Sequence, residues 1–126
     1  MYFRFIAADP DRQPNRPEGV FAAAYDVLDR GVAPEYLRRE IRFTLDWFVR
    51  ELPIPPRFAR RRRPHAPDTG LCWFRTTSVD CVRQVRHLAF LVEECGIPVR
   101  EVRTTSPGYV IYEDDHQIVA EPFGRS

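Results

Sequence analysis

The chain has 126 residues, of which 44% are hydrophobic and 13% aromatic, so it can bury one core and we expect a single domain over residues 1–126. Its formal net charge is +1, and it contains no lysine, so all 19 basic residues are arginine. No stretch approaches the roughly 18 apolar residues that cross a bilayer, and the first residues lack a secretory cleavage site, so we expect a cytoplasmic protein.

A strand and a helix are predicted in the first part of the chain. Residues 2–7, "YFRFIA", alternate apolar and polar side chains as a half-buried strand does, and the proline-rich residues 9–17 predict a loop. A helix follows and ends near Gly31, a residue type that commonly closes helices in the left-handed conformation. The apolar residues that recur in this helix at helical spacing are Phe21, Ala24, Tyr25 and Leu28.

The second helix carries two apolar stripes. It begins at Pro34, which suits a first turn, and Pro53 stops it. The continuous stripe consists of Leu37, Ile41, Leu45, Phe48 and Leu52. Tyr36, Phe43 and Trp47 lie together about 130° round from it, and one stripe facing the core does not account for them.

Residues 53–70 form a long connection that is rich in proline and arginine. Within it, five arginines fall in seven positions: Arg57, Arg60, Arg61, Arg62 and Arg63. A connection of this length inside a compact domain is usually functional or partly disordered, so we predict a flexible loop.

The last part predicts a strand, a helix and three further strands. "LCWFRT" from residue 71 is typical of a buried strand, and Thr77 or Ser78 is the capping residue of a third helix that ends at Gly96. Its inward face is predicted to consist of Val82, Val85, Leu88, Ala89 and Val92, which leaves Phe90 among charged residues on the other side. Strands then follow at 98–104, 108–113 and 117–122, the last two joined by a tight hairpin.

The order β-α-α-β-α-β-β-β predicts an α+β two-layer sandwich. Because the strands mostly follow one another, we expect an antiparallel or mixed sheet of about five strands with about three helices on one face. The segments "LDWF", "LPIPPRF", "CWFR" and "GYVIYEDDHQIVAEPF" give the chain a resemblance to a recurrent type of short, uncharacterised bacterial protein. The resemblance covers most of the chain and implies no activity, cofactor or catalytic residue.

Residues that could carry chemistry do not form a recognisable motif. The three cysteines are odd in number and include no CxxC pair, which argues against a disulfide framework and a zinc knuckle. Cys81 and His87 stand on one helix but face different directions. The four residues of "EDDH", 113–116, cannot all converge on one ion, so we interpret them as a polar hairpin tip. We therefore expect no catalytic residue, no metal, no cofactor and no enzyme activity.

The basic run has three interpretations. It is a solvated loop, a contact for an acidic protein surface, or a phosphate-binding segment in which guanidinium groups grip phosphate and nearby aromatic rings stack on bases. Residues 51–75 hold six basic and two acidic side chains, whereas residues 76–126 hold five and eight. A nearly neutral domain is unlike most nucleic-acid binders, which present a strongly basic face.

The surplus aromatic residues are the other candidate site. Tyr36, Phe43, Trp47 and Phe90 are of types that are enriched at the centres of protein interfaces, unless the loops at 9–17 or 53–70 cover them. We predict a small non-enzymatic binding protein that forms a homo-oligomer and contacts an acidic protein partner, with no membrane partner. The alternative is a module that binds a nucleic acid or a phosphorylated nucleotide through Arg57 to Arg63.

Overall fold

The computed structural model of the protein describes residues 1–8, 18–52 and 71–121. Three helices and six strands lie within these ranges. In chain order they are β1 (Tyr2–Ala7), β2 (Glu18–Gly19), α1 (Val20–Arg30), α2 (Glu35–Glu51), β3 (Leu71–Arg75), α3 (Val79–Glu94), β4 (Val99–Thr104), β5 (Tyr109–Glu113) and β6 (Gln117–Glu121). Apart from the two-residue β2, the elements and their order are those that the sequence predicts.

The sheet is antiparallel in every described pair of strands, and β1 is the strand next to the edge strand β4. One edge of β1 pairs with β4 along its whole length, from Tyr2 opposite Thr104 to Ala7 opposite Val99. The other edge pairs with β3 at its start and with β2 at its end. The sheet then continues from β3 to β6 and β5. Of the two predicted arrangements, antiparallel and mixed, the structure adopts the antiparallel one.

All three helices pack on one face of this sheet. The ring of Phe74 on β3 lies 5.9 Å from the rings of both Phe21 on α1 and Phe48 on α2, centroid to centroid. On the same face, Phe3 of β1 is 6.0 Å from Phe74. The core-facing side chains of α3 join the same cluster. The predicted α+β two-layer architecture is confirmed, because one apolar layer separates the sheet from the helices.

The buried side of α2 is the stripe that the sequence predicts. All five of its members are buried: Leu37, Ile41, Leu45, Phe48 and Leu52. Thr44 is buried beside them, and its hydroxyl donates to the backbone oxygen of Glu40 at 2.9 Å, so its polar atom is satisfied within the helix. The core side of α2 therefore contains no aromatic residue other than Phe48.

Of the four residues that recur at helical spacing in α1, Ala24 is buried and Phe21 and Leu28 pack partly buried against the core, whereas Tyr25 is exposed. The remaining buried residues of the helix are Val20, Ala23 and Val27. Gly31 has a φ of 64° and its N–H donates to the oxygen of Val27 at 3.2 Å, which confirms the predicted end of the helix.

Arginine side chains lie over aromatic rings on the face of the sheet away from the helices. The Arg4 guanidinium is 5.7 Å from the centroid of the Trp73 ring, and that of Arg75 is 5.4 Å from the ring of Tyr2. Arg75 also donates to Glu113 at 2.6 Å. Within the described ranges, none of the helices has the length and apolar character needed to span a membrane.

Candidate functional site

The predicted basic contact lies outside the described residues. Arg57, Arg60, Arg61, Arg62 and Arg63 all belong to the range 53–70. The interpretation of this run therefore stays a prediction from charge and composition. The candidate sites that the structure does describe are the outer surface of α2, the outer surface of α3, the β5–β6 hairpin and a cavity between the layers.

The outer surface of α2 exposes two large aromatic side chains. Tyr36 is 65% exposed and Phe43 is 67% exposed, both far above what a side chain in the core retains. Trp47, the third member of the predicted stripe, is only partly exposed, because its ring packs edge-on against Phe48 with centroids 5.0 Å apart. Trp47 therefore joins the outer stripe to the core, whereas Tyr36 and Phe43 project from the helix.

Phe90, the fourth predicted interface residue, lies on α3 and is 54% exposed. The outer edges of α2 and α3 meet where His87 Nε2 lies 3.6 Å from Glu40 Oε1. Phe43 and Phe90 each follow a member of this pair by three residues on their own helix. The exposed aromatic residues are thus distributed over two neighbouring helices.

Charged residues around the aromatic stripe make short pairs along the helix. Arg39 Nη2 lies 3.5 Å from Glu35 Oε2, one turn before it. Arg38 donates through Nε to the backbone oxygen of Ala33 at 3.0 Å, so it is held at the start of α2. Exposed pairs of this kind stabilise a helix by only about 0.3–0.5 kcal/mol. The Arg39 side chain is therefore free to exchange its partner at little cost.

The hairpin between β5 and β6 is organised by Asp114. Its Oδ1 accepts from the backbone N–H groups of His116 and Gln117 at 2.8 and 2.9 Å, and its Oδ2 accepts from the Tyr112 hydroxyl at 2.8 Å. Burial raises the pKa of Asp114, but these hydrogen bonds outweigh it and the net pKa is lowered. The carboxylate of Asp114 therefore stabilises the turn through hydrogen bonds, which agrees with the prediction of a polar hairpin tip. The described residues contain no group of His, Cys, Asp or Glu that could hold a metal ion.

A hydrogen bond between Ser78 and His116 links this hairpin to α3, and no sequence pattern predicts it. Ser78 Oγ is 2.8 Å from His116 Nδ1. Ser78 stands at the start of α3 as predicted, but its hydroxyl makes no capping bond to the helix backbone. Among the described residues, no carboxylate lies against the ring of His116, so the pair lacks the group that orients a catalytic histidine. Its geometry is that of a structural link.

The three cysteines are free thiols with raised pKa values. Burial raises the pKa of Cys72 to about 12, and its Sγ donates to Gln117 Oε1 at 3.2 Å. Burial also raises the pKa values of Cys81 and Cys95, and a hydrogen bond with Ser78 only partly offsets this for Cys81. His87 is on the outer side of α3, away from the buried Cys81, as the helical spacing predicts. A thiol that stays protonated is a weak nucleophile.

An apolar cavity of about 200 Å³ lies between the helices and the sheet, and the sequence patterns do not predict it. The residues that line it come from α1, α2, β3 and β6: Phe21, Tyr25, Leu45, Phe48, Val49, Leu52, Cys72, Phe74 and Gln117. Three of the rings contact one another, with Phe21 edge-on to Phe48 at 4.9 Å. One polar residue of the lining could have been noticed in the sequence, because the amide of Gln117 stands directly before the apolar residues of β6.

Comparison with known proteins gives no relative from which a role could be transferred. No family model matches the chain, and no curated protein or solved structure is significantly similar to it. The function must therefore be argued from the surfaces and the cavity themselves.

Proposed function

We propose that the protein is a non-enzymatic binding domain that associates with a second copy of itself through the outer surface of α2. The observation that carries this proposal is the exposure of Tyr36 and Phe43, at 65% and 67%, on a helix whose other side is occupied by the core. Large aromatic residues bury more apolar area per residue than other types, so leaving two of them in water is costly. An interface removes that cost.

The residues beside these rings suit an interface. Counting from Phe43 in steps of four and then three residues gives Arg39 and Tyr36 in one direction and Trp47 and Arg50 in the other. Positions at these spacings lie on one side of a helix. Tyrosine, tryptophan, phenylalanine and arginine are the residue types that interface centres favour, and all five positions carry one of them.

The stripe is also complementary to itself. Phe43 is the midpoint of α2, which runs from Glu35 to Glu51. Two copies of α2 that pack antiparallel about a two-fold axis at Phe43 place Tyr36 opposite Arg50 and Arg39 opposite Trp47. Each of these is a cation facing an aromatic ring, and symmetry produces each pair twice. Phe43 then meets its own counterpart at the axis, where hot-spot residues concentrate.

The second part of the proposal is an acidic protein partner in the cytoplasm, contacted by the arginine run at 57–63. It rests on local charge, because residues 51–75 carry a net charge of +4 from six basic and two acidic side chains. A cluster of one sign steers association with a surface of the opposite sign. Self-association and this contact involve separate parts of the chain, so one can fail without the other.

Sedimentation velocity over a range of concentrations tests the self-association. We expect the wild-type chain to sediment as a dimer at high micromolar concentration and to dissociate on dilution. A chain that remains monomeric at high micromolar concentration would overturn the proposal, whatever the arginine run contacts.

A further inference from the structure

The cavity between α1, α2 and the sheet measures about 200 Å³ and is open to solvent on one side, where Tyr25 and Val49 are exposed. Its described lining is largely apolar. An apolar molecule of matching size that enters it would remove this lining from water, which favours binding.

The described residues that line the cavity include no charged side chain. Seven of the nine are aromatic or aliphatic, and the remaining two, Cys72 and Gln117, are hydrogen bonded to each other. The amide nitrogen of Gln117 also donates to Asp114 Oδ2 at 3.3 Å, and Asp114 is not among the described lining residues. A charged ligand group inside the cavity would lose its hydration without gaining a charged partner among the described lining residues.

The size and the wall of the cavity define the ligand further. Typical small-molecule sites measure about 300–1,000 Å³, so this cavity is too small for a nucleotide or a similar cofactor. A dry cavity of about 150 Å³ already accepts benzene, so one or two fused rings fit here. The rings of Phe21, Phe48 and Phe74 line the cavity and pack against one another in edge-to-face or tilted contacts. A further aromatic ring could join this cluster in offset or edge-to-face contact.

We propose that this cavity is a binding site for a compact, uncharged aromatic molecule of one or two rings. Entry is from the side of Tyr25 and Val49, the two exposed residues of the lining. Because the site lies on the inner side of α2 and the self-association stripe on its outer side, this proposal is independent of the proposed function.

Titration of the full chain with naphthalene, followed by protein NMR, tests the site. We expect saturable binding with one ligand per chain, shifts at lining residues such as Leu52 and Phe74, and a melting temperature that rises with ligand concentration. 1-Decanol has the same number of carbon atoms but is linear, and 2-naphthoate adds a charge; we expect each to bind at least tenfold more weakly. Equal or tighter binding of either one would overturn the assigned ligand class.

A variant that closes the entrance of the cavity tests whether naphthalene binds there. Val49 is 62% exposed, so Val49→Trp fills the entrance without disturbing the core, and we expect at least a tenfold loss of naphthalene binding. Val79→Trp places the same side chain at an equally exposed position on α3, away from the cavity, and should bind as the wild type does. Absence of saturable binding to the wild type, or undiminished binding to Val49→Trp, would show that the cavity is not the site.

Discussion

The hydroxyl of Ser78 lies 2.8 Å from Nδ1 of His116, and this hydrogen bond joins the start of α3 to the β5–β6 hairpin across 38 residues of sequence. Ser78 is buried and His116 is exposed, so the bond is shielded from water on one side. The backbone supports the same junction, because the N–H of Arg75 donates to the oxygen of His116 at 2.9 Å. A helix and a hairpin are thereby fixed relative to each other.

The first prediction concerns this link. Ser78→Ala should lower the free energy of unfolding by about 1 kcal/mol, the usual net value of a buried hydrogen bond. Urea denaturation measures the change. Thr77→Ala is the matched control, since Thr77 is the exposed neighbour and should change stability by less than about 0.5 kcal/mol. A double-mutant cycle with His116→Ala should give a coupling of about 0.5–1 kcal/mol, and additive effects would contradict the link.

The second prediction is a pH dependence that originates at Asp114. Its carboxylate accepts two backbone N–H bonds and one from Tyr112, and its pKa is lowered in the folded protein. A lowered pKa contributes stability above the unfolded value of about 3.9, and that stability is lost as the pH falls through the folded value. Asp114→Asn should therefore be about 1–2 kcal/mol less stable than the wild type at pH 7.

The difference between wild type and Asp114→Asn should shrink as the pH falls below about 4 and through the lowered pKa of folded Asp114, because the wild-type carboxyl then becomes neutral as well. Urea titrations at several pH values follow it. Asp115→Asn serves as the control, because Asp115 is exposed in the same turn and should give a small, nearly constant difference. A constant difference for Asp114→Asn would mean that the charge of Asp114 is not what stabilises the turn.

The elements of the fold could be predicted from local patterns, whereas contacts between distant elements could not. The alternation in residues 2–7 and the stripe from Leu37 to Leu52 each depend on the period of one element, and both are confirmed. In α1, three of the four residues at helical spacing lie in or against the core. The exposure of the fourth, Tyr25, could not be predicted, because Tyr25 and Val27 both fit a helical period and only the packing of the helix decides between them.

The site residues show the same division. The exposure of Tyr36 and Phe43 follows from a second stripe on one helix, so the sequence indicates it. The cavity forms only when four elements are placed relative to one another, and the Ser78–His116 bond depends on the relative position of two elements. No periodicity within one element contains that information. Trp47 lies between these cases, since its stripe was recognised but its contact with Phe48 was not.

The third prediction concerns self-association through Phe43. Phe43→Glu places a charge at the proposed two-fold axis, where it would meet its own counterpart, so the dimer should dissociate at least tenfold more readily, a change of about 1.4 kcal/mol or more. Sedimentation velocity measures the dissociation. Val32→Glu is the control, because Val32 is exposed in the turn before α2 and adds the same charge away from the stripe.

Trp47→Glu should weaken the dimer as well, but it also removes the ring that packs against Phe48. We therefore expect Trp47→Glu to lower the melting temperature, whereas Phe43→Glu should leave it nearly unchanged when both are compared as monomers. If Phe43→Glu and Val32→Glu sediment alike, the outer surface of α2 is not the interface.

The last prediction concerns the arginine run. Replacing Arg60, Arg61, Arg62 and Arg63 with serine removes four of the five positive charges of the run. Poly-glutamate is a suitable probe for an acidic protein surface, and single-stranded DNA of similar length for phosphate. We expect the wild type to bind poly-glutamate, the serine variant to lose that binding, and both to sediment with the same dimer affinity.

The charge-preserving variant, with lysine at the same four positions, separates a contact that depends on charge alone from one that needs the guanidinium fork. We expect lysine to restore poly-glutamate binding, because a contact of the first kind needs only the positive charge, whereas bidentate contacts of arginine to carboxylate or phosphate would be weakened. Binding to DNA that is tighter than to poly-glutamate, and whose salt slope falls by about one for each arginine removed, would instead favour a nucleic-acid module. If the serine variant binds both probes as the wild type does, the run is a solvated segment, because four lost charges cannot leave an electrostatic contact unchanged.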